Sequence, residues 1–415
     1  MKLVIGLLLV SIIALSLVLQ RQVTVRHVLE PKPAPTKIRT NPLRISRNPY
    51  IPNTPILEQI FSQDHQWIAT LSGDKIVTLL ATGDVIPARA VNTQTLKKGD
   101  FTWSVAKTAD VLKRADITLI NLETPLLENC QPTTVGMVFC GSPRHVEGLV
   151  FAGVDVANLA NNHSGNYGDS GVVETINRLS SVGILTTGTP LGPAYLPVKG
   201  KKFAFLGYND VGISPEGISA AEQTLITKEV SEASKNADII VVSFHWGTEY
   251  TPQPTTRQRD LAHLSIDSGA DLVIGNHPHW IQPVEIYKDK IITYAHGNFI
   301  FDQECSEKTK LGVVGRYTFY EDKIVDVEFL PVKIENFGQP YFLEGPEKEQ
   351  ILKGIKDESS LIGAVLGIQA NDRARGLVYD GLILSNECPS GFKIHASPKT
   401  SGRAMCTHGP DPGTG

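Results

Sequence analysis

KIVTLLATGD (75–84) is an apolar, strand-like run that ends in a carboxylate, Asp84. Four further runs repeat the pattern. DITLINLE (116–123) ends in Glu123, VDVANLANNH (154–163) in Asn162 and His163, DIIVVSFHWG (238–247) carries His245, and ADLVIGNHPH (270–279) carries His277 and His279. Short β-forming runs bounded by turn residues read as buried strands. In α/β proteins the carboxyl ends of such strands converge on one crevice, where ligands bind. Five strands that bring carboxylate, amide and imidazole to one rim predict a metal site, with two ions as the expectation.

Amphipathic stretches lie between the runs. Residues 102–114, 170–182, 220–236 and 256–268 read as helices, and KKFAFLGY (201–208) as one more buried strand. Helix-then-strand alternation predicts a largely parallel or mixed sheet covered by helices. VVGRYTFYEDKIVDVEFLPVKI, starting at Val313, reads as two strands about Glu321 and Asp322, an antiparallel hairpin. Residues 346–369 include a helix, and GLVYDGLIL (376–384) is a strand in a tail rich in Gly, Pro and Ser.

The chain has 415 residues and a net charge of −4, without a basic block or an Arg-aromatic alternation, so no nucleic-acid partner is expected. Leu3–Leu19 is free of charge and lacks a small-x-small cleavage site. It reads as an uncleaved signal anchor (1–20) that places the protein in the cell membrane, single-pass, with its catalytic part outside the cytoplasm; the alternative is a cleaved signal peptide, which would export that part as well. Residues 21–56 carry seven prolines from Pro31 to Pro55 and read as a linker. A catalytic domain over 57–345 and a C-terminal helix, strand and tail over 346–415 complete the expected organisation. Cys130 and Cys140 bracket a short loop, and Cys388 and Cys406 a longer one. Both spacings suit local disulfides in an oxidising compartment, with Cys305 left over.

Each motif alone also fits an ordinary turn or helix entrance; their joint occurrence points to a site. In ANNHSGNYGDSG (160–171), Asn162 offers an amide oxygen to a metal and His163 a proton to a neighbouring group. His277 and His279, two apart, share one face of an extended segment. Glu249 in HWGTEY could orient a ligand, while Asn298 and Asp302 in GNFIFDQ either line the rim or close a loop. This donor set suits Mn, Fe or Zn rather than Ca. Two such ions about 4 Å apart can activate a water and neutralise a phosphoryl group under attack. No GxSxG elbow, P-loop or GxGxxG pattern offers a competing chemistry.

In the order TGD, NLE, NNH, HWG, GNHPH and GNFIFDQ, the chain resembles the CapA capsule-synthesis (poly-γ-glutamate) family of the calcineurin-like metallophosphoesterase superfamily. The resemblance implies an α/β/β/α sandwich, two mixed sheets flanked by helices, with two divalent ions between the sheet ends. It implies Asp84 and His279 on the first ion and a bridging acid at Glu123. Asn162, His245 and His277 would hold the second ion, with His163 as proton donor and Arg89 on the substrate anion. The superfamily's D-x-H motif is broken, because Ile86 stands two residues after Asp84, and this leaves the first ion short of a ligand. The implied partners are an anionic polymer or a phosphoester, with capsule-synthesis proteins. Two further readings stay open: a capsule-assembly subunit that binds polymer without catalysis, and an exported nuclease or nucleotidase.

Overall fold

The computed structural model describes residues 53–373 except Gln63 and Cys305, with 363–373 described by their backbone. The expected anchor, most of the linker, Cys388, Cys406 and the strand at 376–384 lie outside the described residues. Among the described residues no helix is long and apolar enough to cross a membrane.

Two mixed sheets stack face to face. The first contains β1 (Ile76–Val85), β2 (Ile117–Leu122), β3 (Val156–Asn158) and β4 (Leu185–Thr187) as parallel neighbours. The second contains β5 (Ala194–Val198), β6 (Lys201–Asn209), β7 (Ile239–His245), β8 (Leu272–Asn276), β9 (Val284–Tyr287) and β10 (Lys290–Thr293), in the order β5-β6-β7-β8-β10-β9. The chain then returns to the first sheet. β11 (Asn298–Ile300) lies parallel to the end of β1, and β12 (Leu311–Tyr320), β13 (Lys323–Glu335) and β14 (Gln339–Phe342) extend the other edge antiparallel.

Alternation along each strand explains the layers. Leu79, Leu119 and Val156 of the first sheet meet Phe203, Phe205, Val241 and Ile274 of the second in a central core. Truncating one of these, such as Phe205→Ala, costs about 3–5 kcal/mol. Leu80, Ile120 and Ala157 face the other way, toward the helices on the outer layer of the first sheet. In chain order the helices are α1 (Leu57–Ile60), α2 (Arg89–Lys98), α3 (Ala109–Leu112), α4 (His145–Phe151), α5 (Gly168–Ser181), α6 (Gln223–Asn236), α7 (Thr256–Asp267) and α8 (Gly345–Arg373). Leu112 of α3, Leu149 of α4 and Leu179 of α5 cover the first sheet, while Ile226 and Val230 of α6 and Leu261 of α7 cover the second. The result is the helix–sheet–sheet–helix sandwich that the resemblance implies.

The expected helix over 102–114 is broken into a 3-10 turn at Trp103–Val105 and the single turn α3. Buried Thr108 lies at the break, where its Oγ1 donates to the Val105 carbonyl.

The starts of the parallel strands share one device. Asp116, Asp155, Asp238 and Asp271 each immediately precede a strand. Their backbone N–H groups donate to the carbonyls of Thr78, Thr118, Lys202 and Ile240 in the preceding parallel strand. Their carboxylates accept the N–H of those same residues at 2.7–2.9 Å. Each aspartate therefore clamps one residue from both sides and pins the register of a strand pair.

Candidate metal centre

The opposite ends of these strands carry the predicted donors. At the end of β1 the register with β2 shifts between Ala81 and Asp84, and with β11 between Asp84 and Val85. Such bulges re-aim side chains. Gly83 permits this one: a Cβ there would meet the Gly297 carbonyl oxygen at 2.3 Å. Asp84 is thereby turned into the cleft between the sheets. Glu123 follows β2, Asn162 follows β3 after a tight turn, His245 closes β7, and His277 and His279 follow β8 with φ of +95° and +56°. Non-glycine residues pay strain in that region, and it concentrates at functional sites.

The structure brings these side chains together in two overlapping groups. His245 Nε2 lies 2.8 Å from Asn162 Oδ1, 3.1 Å from His277 Nδ1 and 3.4 Å from Glu123 Oε1. His279 Nδ1 lies 3.2 Å from Asp84 Oδ2. Donor atoms of Asp84, Glu123 and His245 fall within 4.8 Å of one another, as do those of Glu123, His277 and His279. Glu123 belongs to both sets. Ligands about 2.0–2.1 Å from a common ion stand about 3.0–3.4 Å apart, which matches these spacings.

Glu123 supplies the test of fit. It is fully buried, and neither carboxylate oxygen has a hydrogen-bond partner. A buried acceptor left orphaned is costly, and a cation removes that cost. Burial, reinforced by the charge of Asp84, pushes its carboxyl well above the usual range. Burial lowers His245 to about 3. It opposes protonation of His279 as well, but the bond to Asp84 and the charge of Glu123 outweigh it and raise His279 to about 9. A proton on His279 thus supplies the positive charge that these carboxylates demand.

His163 and Arg89 sit at the mouth, in a cleft of about 680 Å3 that Glu249, Phe139 and Phe301 also line. His163 Nε2 is 4.0 Å from Glu123 Oε1, and its ring stacks on Phe139. Asn166 Oδ1 accepts from the Phe139 N–H and stands 3.0 Å from His163 Nδ1, so Nδ1 carries the proton and Nε2 opens to the cleft. Burial lowers His163 to about 4. The Cys130–Cys140 disulfide closes the loop that carries Phe139. Arg89 Nε and Nη2 bond to Asp302, and Nη1 reaches the Gly136 carbonyl at 3.2 Å. Position 86 holds no donor: Ile86 packs with Ala88, Phe139 and Phe301 in an apolar cluster.

The family model for the bacterial capsule synthesis protein PGA_cap matches residues 78–303, more than half of the chain. The chain belongs to that family. The PGA biosynthesis protein CapA of Bacillus subtilis is 30% identical over 305 residues, covering 69% of this chain and 80% of its own. The capsule biosynthesis protein CapA of Bacillus anthracis is 28% identical, covering 68% and 74%. Among solved structures, a phosphatase from Mycoplasma pneumoniae aligns at 13% identity and a TM-score of 0.42, over 66% of this chain and 96% of its own.

In this CapA-type site the sequence reading missed the asparagines beneath the donors. Asn121 Nδ2 donates to Asp84 Oδ1 at 2.8 Å and stands 3.3 Å from His245 Nδ1. Asn158 Nδ2 donates to Asn121 Oδ1, and Asn161 Nδ2 to the Leu122 carbonyl. Such outer partners fix donor orientation. Their signal was present, because each sits within two to four residues of Glu123, Asn162 or His163.

Proposed function

We propose that this protein is an exported, membrane-anchored CapA-type metallohydrolase. It would act on a phosphoester or process and anchor an anionic capsule polymer of the poly-γ-glutamate kind. The carrying observation is the buried, unpartnered carboxylate of Glu123, shared by two donor groups. As the resemblance implies, Asp84, Glu123 and His279 would hold one divalent ion, and Glu123, Asn162, His245 and His277 the other; the short distances from His279 to Asp84 and from His245 to Asn162 and His277 favour this division. When bound, two ions of the Mn, Fe or Zn class supply Lewis-acid polarisation and an acidified water.

The chain's own residues supply the rest. Asn121 and Asn161 keep the donors oriented. Phe139 and Phe301 wall the cleft and limit water. Arg89, held in place by Asp302, presents a fixed positive charge to an incoming anion. His163 carries the proton: Nδ1–H is committed to Asn166, and Nε2 faces the cleft. Nε2 is charged once an anion sits beside it, and it then donates to the leaving oxygen.

The test is hydrolysis of a broad phosphoester panel by metal-replete full-length protein. Turnover abolished by His163→Ala supports the reading. Inactivity of a fully metal-loaded protein favours the second reading, a capsule-assembly subunit that binds polymer on the same fold. The apolar packing of Ile86 at the D-x-H position motivates that alternative.

A further inference from the structure

With Ile86 in place of an imidazole, the first ion has fewer protein donors than the second. A donor stands nearby all the same, delivered by a different strand. β11 runs parallel to β1 with Asn298 directly opposite Asp84. Asn298 is fully buried. Its Nδ2 donates to the Thr309 carbonyl at 2.8 Å and faces Gln303 Oε1 at 3.4 Å, which fixes the amide and turns Oδ1 toward the cluster. Oδ1 lies 2.9 Å from His279 Nδ1, which in turn lies 3.2 Å from Asp84 Oδ2. A single ring N–H serves two oxygens poorly. An imidazole nitrogen, an amide oxygen and a carboxylate oxygen at these separations have the spacing of ligands about one cation. The group around His245 is built alike, with Asn162 Oδ1 at 2.8 Å from Nε2.

We infer that Asn298 is a ligand of the first ion through Oδ1, the counterpart of Asn162 at the second. The inference rests on the dinuclear reading above. It gives the first site one nitrogen and three oxygen-donor residues (His279, Asp84, Glu123, Asn298). The second has two imidazoles beside Asn162 and Glu123. Oxygen-rich sites suit manganese, and imidazole-rich sites suit zinc or iron, so the two positions differ in metal preference.

The experiment is a Mn(II) titration of metal-stripped full-length protein, read as bound equivalents and affinities. Anomalous-difference maps from manganese-soaked crystals accompany it. Wild type binds two ions. Asn298→Ala keeps one and loses more than about 100-fold in affinity for the other, beyond the roughly 10–100-fold of an outer-shell partner. Asn298→Asp retains both. The maps place an ion within about 2.5 Å of Asn298 Oδ1, a bonding distance for a hard cation. Two ions bound unchanged by Asn298→Ala would overturn the assignment alone, as would an ion near Asp84 with Oδ1 bonded only to His279. A wild type that binds one ion or none overturns the dinuclear reading, and this assignment with it, before any variant is made. Should Asn298→Ala fail to fold, Asn298→Asp and the wild-type maps decide.

Discussion

The two ends of the same parallel strands are built on opposite principles. At their starts, four aspartates each close a pair of bonds on one residue of the neighbouring strand. At their ends, a fully buried glutamate has none, three imidazoles crowd two carboxylates, and two histidines take positive φ. One rim holds the sheets in register; the other stores unsatisfied chemistry that the rest of the fold must stabilise. A cation reconciles the second rim with the first.

Glu123→Gln breaks this contrast most severely. Metal affinity is expected to fall by more than about 100-fold, as for a lost ligand. Burial favours the protonated carboxyl in the metal-free fold, so the substitution should at the same time remove a loss of stability that sets in as pH rises above the usual carboxylate range. Denaturant melts of the stripped proteins read the second effect, and a destabilised variant would mean that Glu123 has a structural role. A smaller effect of opposite kind is expected at the other rim. Asp155→Ala deletes the acceptor of the Thr118 N–H and should cost about 1–2 kcal/mol, leaving bound-metal equivalents unchanged. Loss of metal with that substitution would show the two rims to be coupled.

A further effect concerns pH at a buried histidine outside the donor cluster. His145 is held at about 3 by burial, and Asn92 Oδ1, which also accepts the Ser142 N–H, stands 3.0 Å from its Nε2. The unfolded chain takes up a proton near pH 6.5 that the folded chain refuses. This group's contribution to stability is therefore complete above about pH 6.5 and is lost as pH falls toward 3. His145→Gln removes that slope, about 1.4 kcal/mol per pH unit at most, from the difference between the two acid limbs. Parallel limbs would place another group in control.

What the sequence made legible follows from the same contrast. Long apolar runs with a polar terminus announce themselves, so β1, β2, β6, β7, β8 and the β12–β13 hairpin could be read directly. β4, β5, β9 and β10 are three to five residues long and partly polar (LTT, AYLPV, VEIY, KIIT), and tertiary pairing alone makes them strands. The aspartate clamps look like ordinary turn residues until the partner strand is in place. Asn298 was ambiguous for a similar reason: its position depends on a three-residue strand pairing with Asp84 far away in sequence. The six proposed ligand positions were readable because each ends or follows a strand. Which donors share an ion depends on the bulge at Gly83 and the turn through Pro278, which no linear pattern encodes.

The most direct test of the central claim is elemental analysis of full-length protein purified without chelator, beside the His277→Ala/His279→Ala variant. The account predicts close to two equivalents of Mn, Fe or Zn in the wild type and their loss in a variant that still folds. One equivalent or none in a folded wild type would contradict it, and would leave the paired donor groups without the ions they are arranged to hold.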